Sequence, residues 1–101
     1  MTEQQEAELT LREPAPEDGH AVYELIKACP PIEPNTLYAY LLLCTHFSGT
    51  CVLAELDGQL VGCVMGYKLP KEPHKVFVWQ VVVSEAALGK VEITVNKNMI
   101  P

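Results

Sequence analysis

Phe77-Val-Trp-Gln-Val-Val-Val-Ser84, running into Glu85-Ala-Ala-Leu-Gly-Lys90, is the stretch on which the fold turns. Its apolar residues fall on both faces of an extended chain. That predicts a strand from Val76 to Val83 lying inside a sheet, covered on both sides. The turn after Ser84 has the makings of a helix start, where many folds hold a phosphate-bearing cofactor. Trp79 and Gln80 are neighbours in this strand and are expected on opposite faces, one toward helices and one toward a cleft or another layer. The plain alternative for Trp79 is a core residue.

Upstream of this strand the chain alternates between turn signals and short periodic segments. Cys51 to Leu56 and Gln59 to Tyr67 flank Asp57-Gly58, which predicts a hairpin with a two-residue turn. Leu69-Pro-Lys-Glu-Pro73 reads as a proline-bounded loop. Asn35 is a suitable N-cap for a helix from Thr36 to about His46, whose apolar stripe is Leu37, Tyr40, Leu41 and Cys44, widened by Tyr38 and Leu42. Tyr38 and Tyr40 are two apart and cannot both face a core, so one is expected at the surface or at a site. An earlier helix starts at Pro16-Glu17-Asp18, buries Ala21, Val22, Leu25 and Ile26, and stops at Pro30-Pro31 near Cys29. Leu9-Thr-Leu-Arg12 reads as a first strand, which Pro14 and Pro16 bring to an end. The order β-α-α-β-β-β predicts an α/β fold of the α+β kind, with a mostly antiparallel sheet and helices packed on it.

The 101 residues suffice for one domain, and 49% hydrophobic content suffices for a core. A formal charge of −6 argues against nucleic acid and against an anionic membrane as partners. Residues 1–8 are polar and acidic, without the basic and apolar regions of a signal peptide. No apolar run is long enough to span a bilayer. Cys29, Cys44, Cys51 and Cys63 sit in apolar runs without C-x-x-C spacing, which favours buried reduced thiols and a cytoplasmic protein; a Cys51–Cys63 disulfide between paired strands is the alternative. His20, His46 and His74 lie far apart, so no metal site is expected. Cys44 and His46 do not share a helical face, which disfavours a cysteine nucleophile.

Cys29-Pro-Pro-Ile-Glu-Pro-Asn35, Tyr38-Ala-Tyr-Leu-Leu-Leu-Cys44, His46-Phe-Ser48, Thr50-Cys-Val52, Ala54-Glu55 and Phe77-Val-Trp-Gln80 together resemble the diaminobutyrate acetyltransferase family of the GNAT N-acetyltransferase superfamily, over about Leu11 to Leu88. The resemblance implies the N-terminal portion of a GNAT fold, with acetyl-CoA as co-substrate and no metal. It implies acetyl transfer to the side-chain amine of L-2,4-diaminobutyrate, giving N4-acetyl-L-2,4-diaminobutyrate in ectoine biosynthesis. On this resemblance Glu33, Asn35, Tyr38 and Trp79 line the amine-acceptor pocket. Val81, Val82 and Val83 lie along the pantetheine arm, where a backbone amide donates to the thioester carbonyl and stabilises its developing oxyanion. The attacking amine must first lose its proton, and the base is not identified. Glu33 stands where the family usually has Asp, and Pro34 is not usual there.

The superfamily's phosphate-binding signature is Arg or Gln, two residues, Gly, one residue, then Gly or Ala. Here Leu88 replaces the first position, and Val91 and Ile93 stand where the small residues belong. Gly89 and Lys90 are what remains of the local cofactor-binding sequence. From Val91 onward no helical apolar face is present, and Ile93 and Val95 suggest a short strand. The expected organisation is therefore an acidic segment over 1–8, a partial acetyltransferase domain over 9–90 and a divergent tail over 91–101. The abrupt change at Lys90 is expected to reflect a splice, frame or gene-model event, such as read-through into an intron. Loss of the neighbouring strand would expose an apolar edge on Val76 to Val83, predicting self-association, including a homodimer through that edge. Three other readings remain open: a transferase for another small amine, a non-catalytic module that pairs through this edge, and a non-functional gene-model product.

Overall fold

The computed structural model describes residues 9–87 and the backbone of residues 99–100. Strand β1 (Leu9–Arg12) leads through a 3-10 turn at Pro16–Asp18 into helix α1 (Gly19–Lys27). Proline opens the turn, where the N–H it lacks would have no helical partner. A loop containing a cis Pro30–Pro31 bond leads to α2 (Leu37–His46). Strands β2 (Val52–Leu56), β3 (Gln59–Leu69) and β4 (Glu72–Val83) follow, with a 3-10 turn at Glu85–Ala87 after them. A two-residue strand, β5 (Met99–Ile100), pairs parallel to β4. The sheet order is β1-β2-β3-β4-β5, antiparallel through β4. The expected α+β order thus holds, with β5 added. The predicted strand at Ile93 and Val95 lies outside the described residues.

Asp57 and Gly58 both have positive φ, 53° and 83°, the geometry of a hairpin turn that follows the twist of its strands. The strand ends differ from expectation. β3 continues to Leu69 and β4 starts at Glu72, so the proline-bounded segment is a tight connection between long strands. Pro73 is accommodated because the register shifts there: Lys68 faces Val76 while Leu69 faces Glu72. An interrupted ladder has room for a residue without an N–H.

Both helices cover one face of the sheet. Val22, Leu25 and Ile26 from α1, and Tyr40, Leu43 and Cys44 from α2, pack on Cys51, Leu53, Cys63, Met65 and Val82. The buried stripe of α2 is rotated from the predicted one: Leu43 is buried and Leu41 is 37% exposed. Leu41-Leu42-Leu43 is apolar all round and does not fix the helix phase, which tertiary packing sets. The cap is likewise one residue later than expected. Thr36 Oγ1 accepts from the Ala39 N–H at 3.2 Å, while Asn35 Oδ1 accepts from the Thr36 N–H at 2.8 Å. In α1, Ala21 is exposed and Gly19 takes its place in the buried face.

All four cysteines are free thiols, three buried and Cys29 half-buried. Burial raises the pKa of Cys44 to about 11 and that of Cys63 to about 12, so both stay protonated and unreactive. Cys63 faces Leu53, not Cys51, across the hairpin, so the strand register does not align the alternative pair.

Arg12 joins three elements. Its guanidinium donates to Asp18 at 2.8 and 2.9 Å and to Glu55 at 3.0 Å, linking β1, the 3-10 turn and β2. Asp18 also accepts from the Ala15 N–H at 2.6 Å. Hydrogen bonding to Arg12 is the main reason the Asp18 carboxyl titrates below its ordinary value. Its contribution to stability is complete above the unfolded-state value of about 4 and is lost as pH falls through the lower folded-state value. Asp18→Asn is expected to lower stability at pH 7 by about 1 kcal/mol, a figure discounted because Arg12 is partly exposed. Thermal melts of the two chains should converge as the pH is lowered toward 2. An equal deficit at both pH values would refute an electrostatic role.

Candidate functional site

β4 carries an extra residue opposite β3. Gln80 faces Met65 and Val78 faces Gly66, so Trp79 has no partner in the ladder. This β-bulge resets the alternation of side chains. Trp79 and Gln80 therefore do not point to opposite faces as the simple strand period predicts. Both meet Tyr40 on the helix side: the Trp79 and Tyr40 rings lie 5.7 Å apart, and Tyr40 Oη donates to Gln80 Oε1 at 2.8 Å.

Tyr40 is fully buried and its hydroxyl is used twice. Besides donating to Gln80, it accepts from the Asn35 N–H at 2.8 Å. Gln80 Nε2 makes a longer contact of 3.4 Å to the Glu33 carbonyl oxygen. Loss of hydration raises the Tyr40 phenol above its ordinary pKa. It therefore remains a donor and is not a proton-accepting base.

The loop between α1 and α2 is thus tied to the bulge at positions 33 and 35. Glu33 and Asn35 remain exposed, and Trp79 is half-buried against the Tyr40 ring. Tyr38 is 68% exposed on the first turn of α2 and is not part of this network. Tyr40 and Gln80 are the members that the sequence pattern did not assign to the site. The relevant signal was the Tyr38/Tyr40 pair, of which only one can be buried. Trp79 is also one wall of a cleft of about 340 Å³, formed with Ala39, Leu43, Phe47 and Tyr67.

Three residues further along β4 the backbone itself becomes available. The Ser84 N–H donates to the Val61 carbonyl at 2.7 Å, and Val82 faces Cys63 in the same register. In an antiparallel ladder, residues that exchange hydrogen bonds alternate with residues whose polar groups point away. Val82 is therefore bonded to β3, while Val81 and Val83 turn their N–H and C=O groups to the outer edge. β5 pairs only with Val76 and Phe77. Beyond Phe77, no strand covers this edge among the described residues. A hollow of about 400 Å³ at its end is lined by Cys29, Pro30, Ile32, Val83 and Glu85. Gly89 and Lys90 lie outside the described residues. No group of three or more His, Cys, Asp or Glu able to hold a metal occurs among the described residues. No described helix is long and apolar enough to cross a membrane.

The bulge, the open backbone edge and Gln80, which with Tyr40 holds the helix-to-helix loop, thus lie together on β4. Residues 19–90 match the Acetyltransferase (GNAT) family, and the chain belongs to it. It is 48% identical over 82 residues to the L-2,4-diaminobutyric acid acetyltransferase of Methylotuvimicrobium alcaliphilum, covering 81% of this chain and 48% of that protein. Against the enzyme of the same name from Halomonas elongata it is 48% identical over 82 residues, with 80% and 43% covered. Among solved structures it resembles the diaminobutyrate acetyltransferase of Paenibacillus lautus, in complex with its substrate L-2,4-diaminobutyric acid and coenzyme A. The TM-score is 0.76 at 37% identity, covering 80% of this chain and 49% of that one. The chain spans about half the length of the curated relatives it matches.

Proposed function

We propose that this chain carries the acceptor pocket and the acyl-binding strand of an N-acetyltransferase that moves the acetyl group of acetyl-CoA to the side-chain amine of L-2,4-diaminobutyrate. The product would be N4-acetyl-L-2,4-diaminobutyrate, as in ectoine synthesis. The observation that carries this reading is the adjacency of two features on one strand. The bulge at Trp79 anchors the Glu33–Asn35 loop, and the outward backbone groups of Val81 and Val83 follow within four residues.

The chemical fit is specific. The exposed Glu33 carboxylate suits an ammonium group, and the Trp79 face attracts a cation. Asn35 and Tyr38 supply polar groups for the carboxylate and second amine. The outward N–H of Val81 or Val83 suits a carbonyl oxygen that gains negative charge. Acetyl-CoA supplies the activated acetyl thioester. Gly89 and Lys90 belong to this reading as contacts to the cofactor, and 9–90 as the partial domain. The free thiols agree with a reducing, cytoplasmic setting.

A second reading rests on the edge of β4 beyond Phe77, which no strand covers among the described residues. It makes the chain an interaction module that adds a second copy, or a longer relative, as a neighbouring strand. The test is the purified 101-residue chain, shown to be folded by circular dichroism and sized by sedimentation. Thiol release from acetyl-CoA is then followed with L-2,4-diaminobutyrate, ornithine or putrescine. Release that depends on L-2,4-diaminobutyrate is expected. Preference for another amine would move the assignment to another small-amine transferase. A folded dimer without release would favour the interaction module.

A further inference from the structure

We propose that Tyr40 and Gln80 are positioning residues of the acceptor pocket: the Tyr40 hydroxyl and the Gln80 amide hold the Glu33–Asn35 loop against the β4 bulge and so place the Glu33 and Asn35 side chains beside Trp79. The inference rests on the acetyl-acceptor reading above and assigns roles to two residues that touch no substrate in it.

Three observations carry it. The first is connectivity. Asn35 N–H to Tyr40 Oη, Tyr40 Oη to Gln80 Oε1, and Gln80 Nε2 to the Glu33 carbonyl form one chain of donors and acceptors. It begins and ends on the same three-residue segment, with the hydroxyl donating once and accepting once. Among the described residues these are the hydrogen bonds that tie Glu33 and Asn35 to the body of the fold; the Asn35 side chain bonds only to the neighbouring Thr36 N–H.

The second is location. Gln80 follows Trp79, the residue inserted by the bulge, so the two neighbours share the helix side and both meet Tyr40. The loop position is thus set by the element that also presents the outward backbone of Val81.

The third is packing. The Tyr40 ring contacts Trp79 at 5.7 Å and Tyr23 at 6.2 Å between centroids, so one buried side chain orients the aromatic wall and the acidic loop together. A hydroxyl inside the core would leave polar groups without partners if its bonds were broken, which makes the connection stiff. Pro34, between the two anchored residues, restricts the segment further.

The test uses Trp79, the chain's single tryptophan, as probe. Quenching of its fluorescence by L-2,4-diaminobutyrate is titrated for the parent chain, Tyr40→Phe, Gln80→Leu and the double variant, and thermal stability is recorded for each. Tyr40→Phe keeps the ring and removes only the hydroxyl. It is expected to weaken amine binding about fivefold, the worth of roughly one hydrogen bond. The Asn35 amide should exchange its hydrogen faster.

The double variant separates positioning from stability. The double variant leaves no Gln80 side-chain amide without its hydroxyl partner, so stability should recover relative to Tyr40→Phe, while the Asn35 N–H stays unbonded in both. Amine affinity should stay low, because the loop is still unanchored. Full affinity in Tyr40→Phe, or affinity that recovers along with stability in the double variant, would overturn the inference alone. Absence of quenching in the parent chain would overturn the acceptor reading and this inference with it.

Discussion

A chain carrying Val82→Pro is expected to unfold, whereas one carrying Val81→Pro is expected to stay folded and to lose the backbone donor that we propose for the acyl group. The two positions are adjacent and nearly equal in hydrophobicity, but their backbones face opposite ways. Val82 lies in the bonded register with Cys63 and is 1% exposed. Proline there removes a ladder hydrogen bond and leaves a Cys63 carbonyl unpaired. That omission costs about 1–3 kcal/mol before any clash of the ring is counted. In a domain whose net stability is about 5–15 kcal/mol the loss is severe.

At Val81 the N–H points to the outer edge, which no strand covers among the described residues, and proline is tolerated at such edges. The fold should persist while the N–H proposed as donor to the acyl carbonyl disappears. If that donor stabilises charge during transfer, thiol release should fall on the order of 10²-fold. Urea midpoints of the two variants, read beside the transfer assay, distinguish the cases. Equal destabilisation by both prolines would mean that the outward assignment of the Val81 backbone is wrong.

How far the sequence reveals the fold depends on which element is considered. β1 was legible to the residue, since two prolines bound its alternating pattern. The Asp57-Gly58 turn was legible because the geometry demands φ that few residues adopt. Of the residues expected at the site, Glu33 and Asn35 are held through their backbones by one hydrogen-bonded network and Trp79 stacks on its tyrosine, while Tyr38 stands apart. What stayed hidden is the bulge. A period of two carries no record of an inserted residue, and Phe77-Val-Trp-Gln-Val reads as an uninterrupted strand. The opposite-face expectation for Trp79 and Gln80 failed for that reason, and the bond between Gln80 and Tyr40 was not foreseen. The phase of α2 was hidden in a similar way, because three consecutive leucines fit several orientations until Tyr40 is seen to bond Gln80.

The trace of the bulge lies on the partner strand, at Gly66, and this gives the second large prediction. The register between β3 and β4 shifts at Met65 and Gly66. A Cβ at Gly66 would stand 2.5 Å from the Phe77 carbonyl oxygen and 3.3 Å from Val76 Cγ1. The first obstacle is backbone and cannot rotate aside, so Gly66→Ala must push β4 away just before the inserted Trp79. The expected cost is about 1–3 kcal/mol, typical of an added methyl in a site without room. The displacement also bears on function, because Trp79 and Gln80 depend on the bulge to meet Tyr40. Trp79 emission should shift with its altered contact, and amine binding should weaken together with it. Two other glycines calibrate the result. Gly49→Ala has open space around the new methyl and should behave like the parent chain. At Gly62 the nearest atom is the Val82 carbonyl oxygen at 3.1 Å, so alanine there should cost less than at Gly66. A Gly66→Ala chain as stable as Gly49→Ala, with unchanged Trp79 emission, would show that close approach at Gly66 does not hold the bulge in place.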